Sequence, residues 1–284
     1  MKISVIHTGY FKLDGGAMFG VVPKRMWEKM NPPDGDNMCT WAMRALLVET
    51  ADRKILIDTG IGNKQDEKFR SHFMPFGAET LFGSLQKAGV KREEITDVFL
   101  THLHFDHCGG ALWKNDQTGD IELAFPNAIY WSNRVHWEWA THPNAREKAS
   151  FLTENFQPLL DQNKVQFVDV QQNISFLPGF DIQFYYGHTE AMMVPVVHLG
   201  NKRLVYCADL MPSQWHIGMP YVMAYDIRPL VTLEEKTRLL TEAADKGDIL
   251  FFEHDPLADG GTVRRDDKGR IVLDRVGALA DLLA

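Results

Sequence analysis

The stretch Thr101-His102-Leu103-His104-Phe105-Asp106-His107-Cys108-Gly109-Gly110 places three histidines and one aspartate within six residues. It follows the apolar run Ile95–Leu100, which reads as a buried strand, so the cluster stands at a strand's C-terminal end, where sites are built. Four such groups buried together without partners carry a heavy desolvation cost. A divalent metal answers the crowding, since imidazole and carboxylate suit zinc, iron, manganese or cobalt. His102 and His104 are two apart and point the same way in an extended segment. Asp106 and His107 come after the chain turns and can face a neighbouring position. Two ligand pairs from one loop point to two metals, about 3.5–4 Å apart as in two-metal hydrolases.

More ligands are then required, and three residues share the strand-end location. They are His188 in Tyr186-Gly187-His188-Thr189, Asp209 in Tyr206-Cys207-Ala208-Asp209, and His254 in Phe252-Glu253-His254-Asp255. His7, His72, His136, His142 and His198 do not share it and are read as ordinary polar side chains.

With 284 residues, 45% of them hydrophobic, the chain can build a substantial core. Its net charge of -8 makes nucleic acid or an anionic membrane a poor partner. No apolar segment reaches the ~18 residues that span a bilayer, and the N-terminal run is too short for a signal peptide. Three scattered cysteines form no framework and read as reduced thiols. The expectation is a cytoplasmic protein with a small-molecule substrate.

Strands are expected at Lys2–Thr8, Trp41–Glu49, Lys54–Asp58, Ala128–Ser132, Val165–Val168, Ile182–Tyr186, Val194–Leu199, Arg203–Cys207, Ile249–Glu253 and Arg270–Leu273. Helices are expected over Glu79–Ala88, most of Arg134–Leu160, Leu233–Lys246 with Thr232 as N-cap, and Val276–Leu283. Residues 9–38 read as an irregular insertion holding one short helix, Lys24–Met30. No linker divides the chain, so a single domain over 1–284 is expected, with mixed sheets covered by helices.

The series Leu56-Ile57-Asp58-Thr59-Gly60, His102-Leu103-His104-Phe105-Asp106-His107, Gly187-His188-Thr189, Ala208-Asp209 and His254 resembles the metallo-β-lactamase superfamily. The resemblance implies an α/β fold arranged as a four-layer αββα sandwich with the site at one edge. It implies that His102, His104 and His188 hold one metal, that Asp106, His107 and His254 hold a second, and that Asp209 bridges both. It also places Asp58 behind the loop, orienting a ligand imidazole. Two divalent ions per chain, zinc above all, are the implied cofactors, and a homodimer is implied, with Met18, Phe19, Met26, Trp27 and Met30 as its surface.

Two metals sharing a water supply hydroxide near neutral pH, and one polarises the electrophile's oxygen. Ester, lactone, thioester, amide and phosphotriester hydrolysis all follow. Within the superfamily the chain is most similar to the lactonase and methyl parathion hydrolase branch, which makes a lactone such as an acyl-homoserine lactone the expected substrate. A hydroxyacylglutathione-type thioesterase and an organophosphate hydrolase are the alternatives, and a non-catalytic ligand-binding member stands behind them. The segments 14–20 and 215–221 are expected to wall a hydrophobic pocket. Two positions depart from the pattern. Pro212 stands where acyl-homoserine lactonases carry a tyrosine, and Met192 where many relatives carry a histidine. A polarising phenol must then come from Tyr221 or Tyr225, with His216 as a general acid beside Asp106 and Asp209.

Overall fold

The computed structural model describes residues 1–172 and 174–284. Its strands are β1 (Lys2–Asp14), β2 (Met38–Glu49), β3 (Lys54–Ile57), β4 (Asp97–Phe99), β5 (Leu112–Lys114), β6 (Ile121–Leu123), β7 (Ile129–Asn133), β8 (Val165–Val168), β9 (Ile174–Leu177), β10 (Phe180–Tyr185), β11 (Met192–Leu199), β12 (Lys202–Tyr206), β13 (Ile249–Phe251), β14 (Gly260–Arg265) and β15 (Ile271–Gly277). They form a six-stranded sheet, β1-β2-β3-β4-β7-β8, a seven-stranded sheet, β15-β14-β13-β12-β11-β10-β9, and a small β5-β6 pair. The chain resolves into two compact units: Met1–Phe11 with Ala42–Val170, and Lys12–Trp41 with Gln171–Ala284.

In the first unit β3, β4, β7 and β8 run parallel. Parallel strands covered on both faces read as continuous apolar runs, which is how Ile55-Leu56-Ile57 and Val98-Phe99-Leu100 stand in the sequence. Leu56, Val98, Leu103, Tyr130, Trp137 and Phe156 are buried in one core with the helix Leu81–Lys87. In the second unit β12 and β13 are parallel, while β10 and β12 are each antiparallel to β11. The C-terminal ends of β10, β12 and β13 therefore emerge at the same sheet edge.

Several boundaries differ from those read off the sequence. The alternation begun at Lys2 runs on to Asp14, with Gly9, Phe11 and Leu13 buried, so the irregular segment starts at Gly15 and holds short helices at Gly15–Phe19 and Lys24–Trp27. The helical stretch after β7 is only Arg134–Thr141; Pro143 disfavours helix for the residue before it. The long second-unit helix begins at Pro229, whose missing N–H suits the first helical position, so Thr232 lies inside it and caps nothing. At the C-terminus Val276 belongs to β15, and the helix is Leu279–Leu283.

Candidate metal centre

In the first unit the chain leaves the parallel β3 and β4 at the same edge, through Asp58 and Thr101. Asp58 is fully buried at φ +58, a left-handed backbone that aspartate tolerates better than most residues. Its Oδ1 accepts the Thr101 N–H at 2.8 Å and its Oδ2 the Thr101 hydroxyl at 2.7 Å. The same Oδ2 lies 3.2 Å from His107 Nδ1. Having given its proton to Asp58, the Thr101 hydroxyl accepts from His102 Nδ1 at 3.0 Å. One carboxylate thus fixes two imidazoles, and both present Nε2.

Backbone packs directly on backbone behind this loop. The Thr59 N–H donates to the His107 carbonyl at 2.8 Å, and the Gly110 N–H to the Gly60 carbonyl at 2.8 Å. A Cβ on Gly109 would lie 2.2 Å from the Ile61 carbonyl oxygen, and one on Gly110 2.3 Å from that of Thr59, so only glycine fits. Buried His136 accepts the Leu103 N–H at 2.9 Å on Nε2. Glu147, also buried, sets Oε1 3.5 Å from His104 Nε2. Phe69 and Phe73, from the helix Glu67–Phe73, pack on Phe105 with ring centroids 5.0 and 4.4 Å away. Phe105 itself stands between His104 and Asp106.

In the second unit His188 follows β10, Asp209 follows β12 and His254 follows β13. Glu235, on the helix Pro229–Lys246, accepts the N–H groups of Tyr186 and Gly187 at 2.7 and 2.9 Å and pins the turn before His188. Gly187 permits this approach, since a Cβ there would meet Thr232 Oγ1 at 2.3 Å. His188 Nδ1 pairs with Asp226 at 2.9 Å, and its Nε2 lies 3.1 Å from Asp209 Oδ2. The other Asp209 oxygen lies 3.3 Å from His254 Nε2. Asp209 therefore stands between two imidazoles with one oxygen toward each. Burial alone would lower the His188 pKa, but Asp209 and Asp226 outweigh it and raise it to about 10. The same two carboxylates would favour a divalent cation, which displaces that proton when the ring acts as a ligand.

The ligands expected from the sequence gather within each unit. In the first, the His102 ring lies 4.6 Å from that of His104 and 3.9 Å from that of His107, centroid to centroid, and His107 Nε2 is 3.8 Å from Asp106 Oδ2; in the second, Asp209 stands between His188 and His254; such His/Asp clusters are able to hold metal ions. The donor sets, imidazole nitrogen and carboxylate oxygen, suit divalent zinc, iron, manganese or cobalt.

Other expected residues have different surroundings. His216 is buried and stacked on Phe19 with centroids 5.5 Å apart. Its Nδ1 meets Ser213 Oγ at 2.7 Å, and its Nε2 lies 2.9 Å from the Met18 carbonyl oxygen. Burial drives its pKa down to about 3, so the ring is neutral and held at both nitrogens. Segments 14–20 and 215–221 do come together, but as a packed cluster in which Phe19 touches Trp27, Trp41, Trp215 and Tyr221. Buried Lys236 ties the second segment down by donating to the carbonyls of Gly218 and Tyr221 at 3.0 and 2.9 Å. Tyr221 is half-buried and Tyr225 exposed. The Pro212 carbonyl accepts the His254 N–H at 3.0 Å. Met192 is fully buried in β11. All three cysteines are buried free thiols, and burial pushes Cys108 up to about 12.

His136, Glu147, Asp226, Glu235 and the Phe69–Phe73–Phe105 cluster are the residues the sequence did not disclose. Phe105 aside, they lie far along the chain from the loops they support, and no spacing rule connects them.

A mixed α/β protein with His/Asp clusters at its strand ends, able to hold metals, is the class that fold and site define. Residues 44–254 match the metallo-beta-lactamase superfamily, and the chain belongs to it. The N-acyl homoserine lactonase AiiA of Bacillus thuringiensis subsp. kurstaki is 22% identical over 232 residues, covering 77% of this chain and 82% of that one. Among solved structures, a probable metal-dependent hydrolase from Staphylococcus aureus superposes with a TM-score of 0.86 at 28% identity, covering 97% of this chain and 96% of that one. AidC, a dizinc quorum-quenching lactonase solved with a product, N-hexanoyl-L-homoserine, superposes with a TM-score of 0.75 at 25% identity, covering 96% and 93%. Among the described residues no helix is long and apolar enough to cross a membrane.

Proposed function

We propose that the protein is a dinuclear metal-dependent hydrolase of small apolar esters, with lactones as the preferred class. The observation that carries this is Asp209, which sets one oxygen toward His188 and the other toward His254. His102, His104 and His188 would hold one ion, Asp106, His107 and His254 the other, and Asp209 would touch both. What the ions supply when bound is Lewis acidity: water acidic enough to attack near neutral pH, and a polarised acyl oxygen. The chain's own groups do the rest. Asp58 and Thr101 fix the tautomers of His107 and His102. Asp106 takes the proton of the attacking water and passes it to the leaving alkoxide. Tyr221 is the phenol that orients the acyl oxygen. His216, engaged at both nitrogens, serves as a wall and gives no proton. The aromatic surface of Phe69, Phe73 and Phe105, beside two of the ligands, suits an acyl chain.

The lactonase relatives favour a lactone over a thioester or phosphotriester, and acid release from metal-loaded protein separates the three. Lactones should turn over with saturation, and His104→Ala should not. Saturable hydrolysis of acyl-glutathione or of phosphotriesters with lactones inert would reassign the substrate. We also propose a homodimer, through a surface narrower than the sequence pointed to. Met18, Phe19 and Trp27 are buried within the chain, leaving Val21, Met26 and Met30 exposed. Light scattering should give a dimer at micromolar concentration; a monomer would refute it.

A further inference from the structure

We infer that Glu147 is a positioning residue that selects the metal-facing nitrogen of His104. The inference rests on the reading that His104 is a metal ligand. Glu147 is 2% exposed, and a buried carboxylate is kept only where partners offset its desolvation. Its Oε2 accepts from Trp139 Nε1 at 2.8 Å and from Asn144 Nδ2. Its Oε1 faces His104 Nε2 at 3.5 Å. The turn around it closes on the loop: the Glu147 carbonyl accepts the Ser150 and Phe151 N–H groups, and the Ser150 carbonyl accepts the Phe105 N–H at 3.0 Å. The Phe151 ring then lies 4.7 Å from the His104 ring, centroid to centroid.

A carboxylate beside Nε2 keeps the proton on that nitrogen and leaves the Nδ1 lone pair for coordination. This is the reverse of His102 and His107, whose Nδ1 atoms face Thr101 and Asp58. Three imidazoles from one short loop can then converge from different directions. The negative charge also makes the His104 ring a stronger donor, as carboxylates behind metal-ligating histidines do.

The test compares wild type, Glu147→Gln and Trp139→Phe, metal-stripped and titrated with zinc against a chromophoric chelator. Cobalt-loaded samples are read by their d–d absorption. Glu147→Gln should weaken one of two zinc ions by about 10–100-fold and shift the cobalt spectrum. Trp139→Phe removes a partner of Glu147 without touching His104; it should lower thermal stability and leave affinity and spectrum in place. Equal affinity and spectrum in Glu147→Gln and wild type would overturn the inference, as would matching losses in the two variants, which would make Glu147 merely structural. Wild type that binds no zinc would instead overturn the metal reading itself.

Discussion

Asp58 offers a substitution whose effects on stability and on metal binding are separable. Asp58→Asn keeps the shape and Oδ1 but turns the second oxygen into a donor. The Thr101 hydroxyl and His107 Nδ1, which face Asp58 Oδ2 at 2.7 and 3.2 Å, must then accept where they gave. The hydroxyl proton turns to His102 Nδ1, and both imidazoles carry their proton on Nε2. Hydrogen bonds are conserved in number, so stability should change by no more than about 1 kcal/mol. Metal affinity should fall by about 10–100-fold, because the coordinating nitrogens are now protonated. Asp58→Ala behaves differently. It leaves the Thr101 N–H, the Thr101 hydroxyl and His107 Nδ1 without this acceptor, at about 1–3 kcal/mol for each buried group. The left-handed backbone at φ +58 adds about 1 kcal/mol for alanine. A loss of about 3–6 kcal/mol follows, since neighbouring groups take up part of the lost bonding. Urea unfolding of metal-stripped protein measures the first quantity and chelator competition the second. An Asp58→Asn variant that binds zinc as tightly as wild type, or an Asp58→Ala variant within about 1 kcal/mol of wild-type stability, would refute the reasoning.

Two further outcomes are expected. His216 ionises near 6.5 when unfolded and near 3 when folded, so the unfolded state binds the proton first on acidification. Its stabilisation is complete above pH 6.5 and lost between there and pH 3, by up to about 5 kcal/mol; His216→Gln should flatten that fall, and unfolding curves parallel to wild type through the window would contradict it. Phe73→Ala should cut kcat/KM for long-chain lactones about tenfold more than for short ones, from lost apolar contact; an equal fall for both chain lengths would place the acyl chain elsewhere.

The candidate ligands were legible because their chemistry is concentrated. His102, His104, Asp106 and His107 lie in one run, and His188, Asp209 and His254 each follow an apolar strand, so position in the fold could be inferred from position after a strand. What holds those ligands was not legible. Glu147 and Asp226 are single carboxylates among ordinary loop residues, and only folding brings them to His104 and His188. His216 misled as a general acid because a lone histidine in a Gly/Pro-rich turn gives no sign of burial. Met18, Phe19 and Trp27 looked like an interface for the opposite reason: apolar residues in an irregular segment read as exposed until Trp41 and Trp215 are seen packed against them. Of these supporting groups Asp58 alone was anticipated, through resemblance rather than spacing.

The central claim is that hydrolysis depends on two metals held by these seven residues. The most direct measurement is acid release from a lactone by chelator-stripped protein as zinc is returned in steps, with Asp209→Ala alongside. The account predicts activity that rises with the second equivalent of zinc and stays absent in the folded Asp209→Ala protein. Protein that takes up two zinc ions yet hydrolyses no lactone, thioester or phosphotriester, or an Asp209→Ala variant with full activity, would contradict it.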